Sequence, residues 1–124
     1  MNKKLFAMLL LSSLNAWGQI SQTQLKEVSF QMNKSLPEVF DPVTKLISTT
    51  VENNNFKYHF VLNANHQEYS WAMPKVKKQI LETVCSQKRE RALLTKHKAN
   101  IVYSYENVDG HLLGEFMVKT EHCR

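Results

Sequence analysis

The sequence predicts an α+β fold in the order αββαββ: a four-stranded antiparallel sheet, two amphipathic helices on one of its faces, and one disulfide. Three observations carry this prediction. Apolar residues recur every three or four positions in residues 21–36 and again in residues 74–85, which places them along one side of a helix. Two β-rich stretches are each interrupted by turn residues, Asn53-Asn54-Asn55 in the first and Asp109-Gly110 in the second, as hairpins are. The chain has two cysteines, Cys85 and Cys123, an even count that in an exported protein implies a bridge.

The elements follow in chain order. Residues 1–18 carry Lys3 and Lys4, an apolar run over residues 5–14, and then Ala16-Trp17-Gly18. That is the layout of a secretory signal, with a positive start, a short apolar helix and small residues at the cleavage point. Its removal leaves residues 19–124, enough for one small α+β domain and too few for a multidomain enzyme. The apolar run is shorter than the roughly 20 residues that span a bilayer, and no later segment approaches that length. No cysteine lies near the cleavage point to receive a lipid. The expected location is the periplasm, unlipidated and without a transmembrane anchor.

Leu25, Val28, Met32 and Leu36 give the first helix, with Ser21 or Thr23 as its N-cap. Pro37 and Pro42 then interrupt the pattern, so residues 36–42 read as a connection. In residues 43–51 Val43, Ile47 and Val51 share one parity and Leu46 has the other; after the asparagine run, Phe56, Tyr58, Phe60 and Leu62 alternate with Lys57, His59 and Val61. These make the first hairpin. A polar loop leads to Pro74, a residue suited to the first position of a helix. In that helix Val76, Ile80, Val84, Leu81 and Cys85 face inward, while Lys75, Lys77, Lys78 and Glu82 face out. Residues 89–94 extend it with Leu93 and Leu94 inward. Residues 101–105 and 112–118 form the second hairpin around Asp109-Gly110, and a Cys85–Cys123 bridge ties the second helix to the last strand.

Several of these residues together resemble a group of small exported proteins of Gram-negative bacteria, most of them without an assigned function. They are Cys85, Arg91-Ala92-Leu93-Leu94, Ile101-Val102-Tyr103-Ser104-Tyr105, Asp109-Gly110 and Cys123, preceded by Leu36-Pro37, Asp41, Thr44 and Tyr58. The resemblance implies an envelope protein with one disulfide and brings no catalytic residue with it. The sequence departs from the pattern at Lys96-His97-Lys98, where a glycine often precedes the strand that follows.

The charge is uneven. The whole chain carries a formal +5, and loss of Lys3 and Lys4 lowers this to +3. Residues 75–98 alone hold Lys75, Lys77, Lys78, Lys88, Arg89, Arg91, Lys96 and Lys98 against Glu82 and Glu90. A solvated helix face accounts for this run; beyond that, an acidic protein or an anionic envelope surface is the matching partner, and export excludes nucleic acid.

A search for catalytic constellations finds no glycine-rich phosphate loop, His-Glu-x-x-His, Cys-x-x-Cys or Gly-x-Ser-x-Gly. Asp109 or Glu106 with Glu115 could face each other across the second hairpin, but such pairs are common on solvated sheets. His59, His66, His97, His111 and His122 show no metal-ligand spacing, and no cofactor is implied. The expectation is a non-enzymatic, protein-binding role. Its contact residues are Lys75, Lys77 and Lys78 on the basic helix, Asn107, Asp109 and His111 at the hairpin tip, and the paired Tyr103 and Tyr105. Tyr103 and Tyr105 read either as core or as an aromatic platform. An inhibitor or immunity protein that blocks an exported toxin or cell-wall hydrolase with an acidic surface is the first expectation, since a rigid scaffold loses little entropy on docking. The alternative is an accessory subunit of an envelope secretion, conjugation or pilus apparatus, bound through an exposed strand edge. An enzyme or small-ligand binder with a hidden pocket is the third.

Overall fold

A computed structural model describes residues 22–124, and the signal-sequence reading of residues 1–18 lies outside them. Helix α1 (residues 22–33) is followed by strands β1 (Glu38–Asp41), β2 (Thr44–Glu52) and β3 (Asn55–Leu62). Helix α2 (His66–Thr83), a 3-10 turn (Val84–Ser86) and helix α3 (Lys88–Thr95) lead to β4 (Asn100–Asn107), β5 (Leu112–Val118) and a last 3-10 turn (Thr120–Cys123). The class is α+β, as expected.

The sheet has five strands in the order β1-β2-β3-β4-β5, not four. The added strand is β1, which forms in the segment expected to be a connection. Pro37 precedes it and Pro42 lies in the turn after it, so neither interrupts the strand, and a proline beside an edge strand is tolerated. Asp41 Oδ1 accepts the Val43 amide at 2.9 Å and closes that turn. The sheet is also mixed, since β3 and β4 run parallel, from Asn55↔Asn100 to Leu62↔Asn107, while the other pairs are antiparallel. The helices α2 and α3 lie in the connection between them, and such a crossover is what a parallel pair requires.

Helix α2 starts well before Pro74. Asn65 caps it, its Oδ1 accepting the Glu68 amide at 2.8 Å while Glu68 Oε1 accepts the Asn65 amide at 3.1 Å. This reciprocal capping box begins the helix at His66 and leaves Pro74 inside it. β2 carries a bulge between Leu46 and Ser48 that switches its inward parity, so that Leu46 and Thr49 are buried and Ile47 is exposed.

All three helices pack on one face of the sheet. Leu25 of α1, Val84, and Leu93 and Leu94 of α3 are buried with Leu46, Phe56, Tyr58, Phe60, Ile101, Tyr103, Tyr105 and Val118. Ser29 Oγ lies 2.7 Å from Thr49 Oγ1, and Asn33 Oδ1 accepts the Thr49 amide at 2.7 Å, fixing α1 to β2. The disulfide joins Cys85 to Cys123 with Cα atoms 5.4 Å apart. It links the two 3-10 turns rather than a helix to a strand, and His122 Nε2 sits 2.7 Å from the Leu81 carbonyl beside it.

Candidate functional site

Helix α2 is 18 residues long and buries none of them fully. Its Tyr69, Met73 and Ile80 lean against the core without closing over it. The space left between α2 and the sheet is a groove of about 580 Å³. Its floor is Leu46, Phe60, Tyr103 and Tyr105, its wall is Met73, Val76 and Ile80, and Phe40 and Val43 rim it from β1 and the turn after it. A cavity of this size, mainly apolar with a few polar groups, has the character of a binding site.

Local sequence explains how the groove is held open. The strands beneath it present an aromatic layer: Phe60 stacks on Tyr105 at 4.9 Å between centroids, Tyr103 on Phe116 at 5.0 Å, and Phe40 meets Phe60 edge-on at 5.5 Å. At the far side of α2, Gly114 has no side chain, and the Tyr69 ring occupies the space a Cβ would need, 2.5 Å from the Tyr69 hydroxyl. Tyr69 thereby anchors α2 over β5 and leaves its other flank standing clear of β1–β3.

One end of the groove is polar. The Tyr58 hydroxyl donates to Glu90 Oε1 at 3.0 Å, and Arg89 donates to the same oxygen through Nε at 3.1 Å and Nη2 at 3.0 Å. The Glu90 carboxylate is buried yet paired, which is the condition under which a buried charge is tolerated. Burial, then the Glu90 charge, pushes the Tyr58 phenol well above its ordinary range. Tyr103 and Tyr105 are 6% and 4% exposed, and burial raises both phenols in the same way. Their hydroxyls have no hydrogen-bond partner among the described residues, so at neutral pH the floor holds two protonated, free donors.

The residues expected to bind a partner fall in three places. Tyr103 and Tyr105 lie on the groove floor. Lys75 and Lys78 are on the exposed side of α2, but Lys77 turns back over the sheet, with Nζ 5.7 Å from the Phe116 ring centroid. Asn107, Asp109 and His111 form the β4–β5 turn, where Asn107 Oδ1 accepts the amides of Asp109 at 3.0 Å and His111 at 2.9 Å. None of Phe40, Met73, Val76 and Ile80 was expected as a site residue: Phe40 falls in the expected connection, Met73 in the loop expected before Pro74, and Val76 and Ile80 form an apolar helix row, which ordinarily means core. On the helix-free face, Lys57 pairs with Glu115 at 3.3 Å and His59 Nε2 lies 2.7 Å from Thr50 Oγ1.

These features define a small, disulfide-tied α+β fold with an apolar groove under its longest helix. No protein-family model matches the chain, and no curated protein sequence matches it. Among solved structures it is similar to a candidate secreted protein of Pseudomonas aeruginosa, with a TM-score of 0.73 and 21% identity over 84% of this chain and 93% of that one. It is also similar to two pilotins of the type II secretion system. EpsS of Vibrio vulnificus matches with a TM-score of 0.68 and 15% identity, over 86% of this chain and 94% of the pilotin. AspS of Vibrio cholerae matches with a TM-score of 0.68 and 17% identity, over 90% and 99%. At these identities the likeness is one of fold. The helices among the described residues are none of them long and apolar enough to cross a membrane.

Proposed function

We propose that this chain is an accessory subunit of an envelope secretion apparatus, exported and acting by binding rather than catalysis, and that its groove receives an apolar segment of an apparatus component. The observation that carries the reading is the groove: a preformed apolar trough, some 580 Å³, left open by a helix that buries no residue. The fold shared with two pilotins supports an apparatus partner over a toxin or hydrolase. The inhibitor reading draws no support from these similarities. β1 is one of the sheet's two edge strands, β5 being the other, and Phe40 of β1 rims the groove, so an incoming segment on that side meets an open strand edge beside an apolar floor.

Co-purification from the native host's envelope tests this, with the wild-type chain and with Ala72→Trp, which fills the groove from an exposed position on α2. The expected result is recovery of apparatus components by the wild type and their loss with Ala72→Trp at unchanged thermal stability. Recovery of a toxin or hydrolase equally by both chains refutes the reading.

A further inference from the structure

The sides of α1 and α2 turned away from the sheet carry two large aromatics that the fold leaves in water. Phe30 on α1 is 58% exposed and Trp71 on α2 is 71% exposed. Each stands among lysines. Lys26 and Lys34 lie one turn before and one turn after Phe30, and Lys34 Nζ is 4.8 Å from its ring centroid. Lys75 and Lys78 follow Trp71 by four and seven residues, the spacing that shares a helix side. Neither aromatic lines the groove; the adjacent Ala72, Met73 and Val76 do, from the other side of α2. Because α1 and α2 pack on the same face of the sheet, both rows lie on the helix-covered side of the molecule and look outward.

We propose that this side docks on an anionic phospholipid surface, with Trp71 and Phe30 entering the headgroup layer and Lys26, Lys34, Lys75 and Lys78 reaching lipid phosphates. An indole at the boundary layer keeps its ring among apolar groups and its N–H among polar ones. Lysine stems lie along that boundary while their ammonium groups extend to phosphate. Three acidic residues share these rows, Glu27, Glu68 and Glu82, against the four lysines, so the balance stays positive by one. Two of the three carboxylates are engaged within the fold: Glu27 Oε1 accepts from Gln31 Nε2 at 2.7 Å and Glu68 Oε1 from the Asn65 amide at 3.1 Å. Four lysines spread over two helices suit a fluid field of phosphates, which needs no fixed geometry, better than the single register of a folded acidic partner. The proposal uses the side of α2 away from the groove, so it stands or falls independently of the apparatus reading.

Trp71 is the one tryptophan beyond Trp17, so in the processed chain it reports on its own environment. The processed protein, purified from an export-competent host, is mixed with vesicles of phosphatidylethanolamine and phosphatidylglycerol, or with vesicles of phosphatidylcholine alone. Expected are co-sedimentation with the anionic vesicles only, a shift of Trp71 emission to shorter wavelength, and release by added salt. Lys75→Glu with Lys78→Glu is expected to weaken binding about 20-fold or more, given the attraction of each basic residue to an anionic leaflet. Lys26→Glu with Lys34→Glu repeats the test on α1. The proposal is overturned by no co-sedimentation, by equal binding to phosphatidylcholine, by binding with unshifted Trp71 emission, or by charge reversal without effect. Binding to soluble polyglutamate in place of vesicles also overturns it, assigning the face to an acidic protein.

Discussion

Lys98 has a φ of 51°, in the left-handed region where a Cβ is crowded against its own backbone. It sits in the Lys96-His97-Lys98 turn, and the backbone keeps the conformation without glycine, the residue that adopts it freely. Lys98→Gly is therefore expected to raise stability by about 1 kcal/mol, read as a higher denaturant midpoint at unchanged slope. The tyrosines under the helices make a second prediction. Burial places the Tyr58, Tyr103 and Tyr105 phenols above their ordinary 10.0 in the folded chain. Unfolded, they release protons near 10.0, so the stability they contribute is complete below that pH and is lost as pH climbs beyond it. Thermal unfolding scanned across pH should show a steep decline above pH 10, shallower in Tyr103→Phe with Tyr105→Phe. Period-two spacing was enough to put these two tyrosines on one strand face. Whether that face is sealed depends on how closely α2 approaches, which no local pattern encodes.

Helix α2 is where element-scale reasoning can be tested most directly. Pro74 lies in its interior and has no N–H to offer the turn before it. Pro74→Ala restores that donor and is expected to stabilise the protein by about 1–3 kcal/mol, measured by thermal or denaturant unfolding. The same proline explains why the helix start was misplaced: proline favours a first helical position, and that preference outweighed the Asn65 and Glu68 capping pair nine and six residues upstream. β1 was missed for a related reason, since Pro37 and Pro42 bound a strand of four residues and read as one continuous break. In β2 a single inserted residue exchanges the roles of Leu46 and Ile47, and a bulge has no signature in alternation except its failure. β3, β4, β5 and the two hairpin turns were legible because each is specified by its own residues. Residues 89–94 were expected to extend the second helix and instead belong to a separate α3, because the chain leaves the helix at the Val84–Ser86 turn and is extended at Gln87.

At the scale of the whole molecule, strand direction and the disulfide are the long-range terms. The bridge spans a sequence separation of 38, for which the chain-entropy argument gives about 4 kcal/mol. That is a large share of the roughly 5–15 kcal/mol by which small domains are stable. Cys85→Ser with Cys123→Ser, or reduction, is expected to lower the unfolding free energy by up to that amount, and a denaturant titration with and without reductant measures it. The parallel β3–β4 pair joins Asn55 to Asn100 and Leu62 to Asn107. Since ribosomes make the chain from its N-terminus, Phe56, Tyr58 and Phe60 emerge with a partner on one flank only, and the strand that shields the other flank is the last but one to be made. A polypeptide arrested or clipped between those two strands would therefore display a bare aromatic edge, a natural template for self-association and a natural recognition signal for a chaperone.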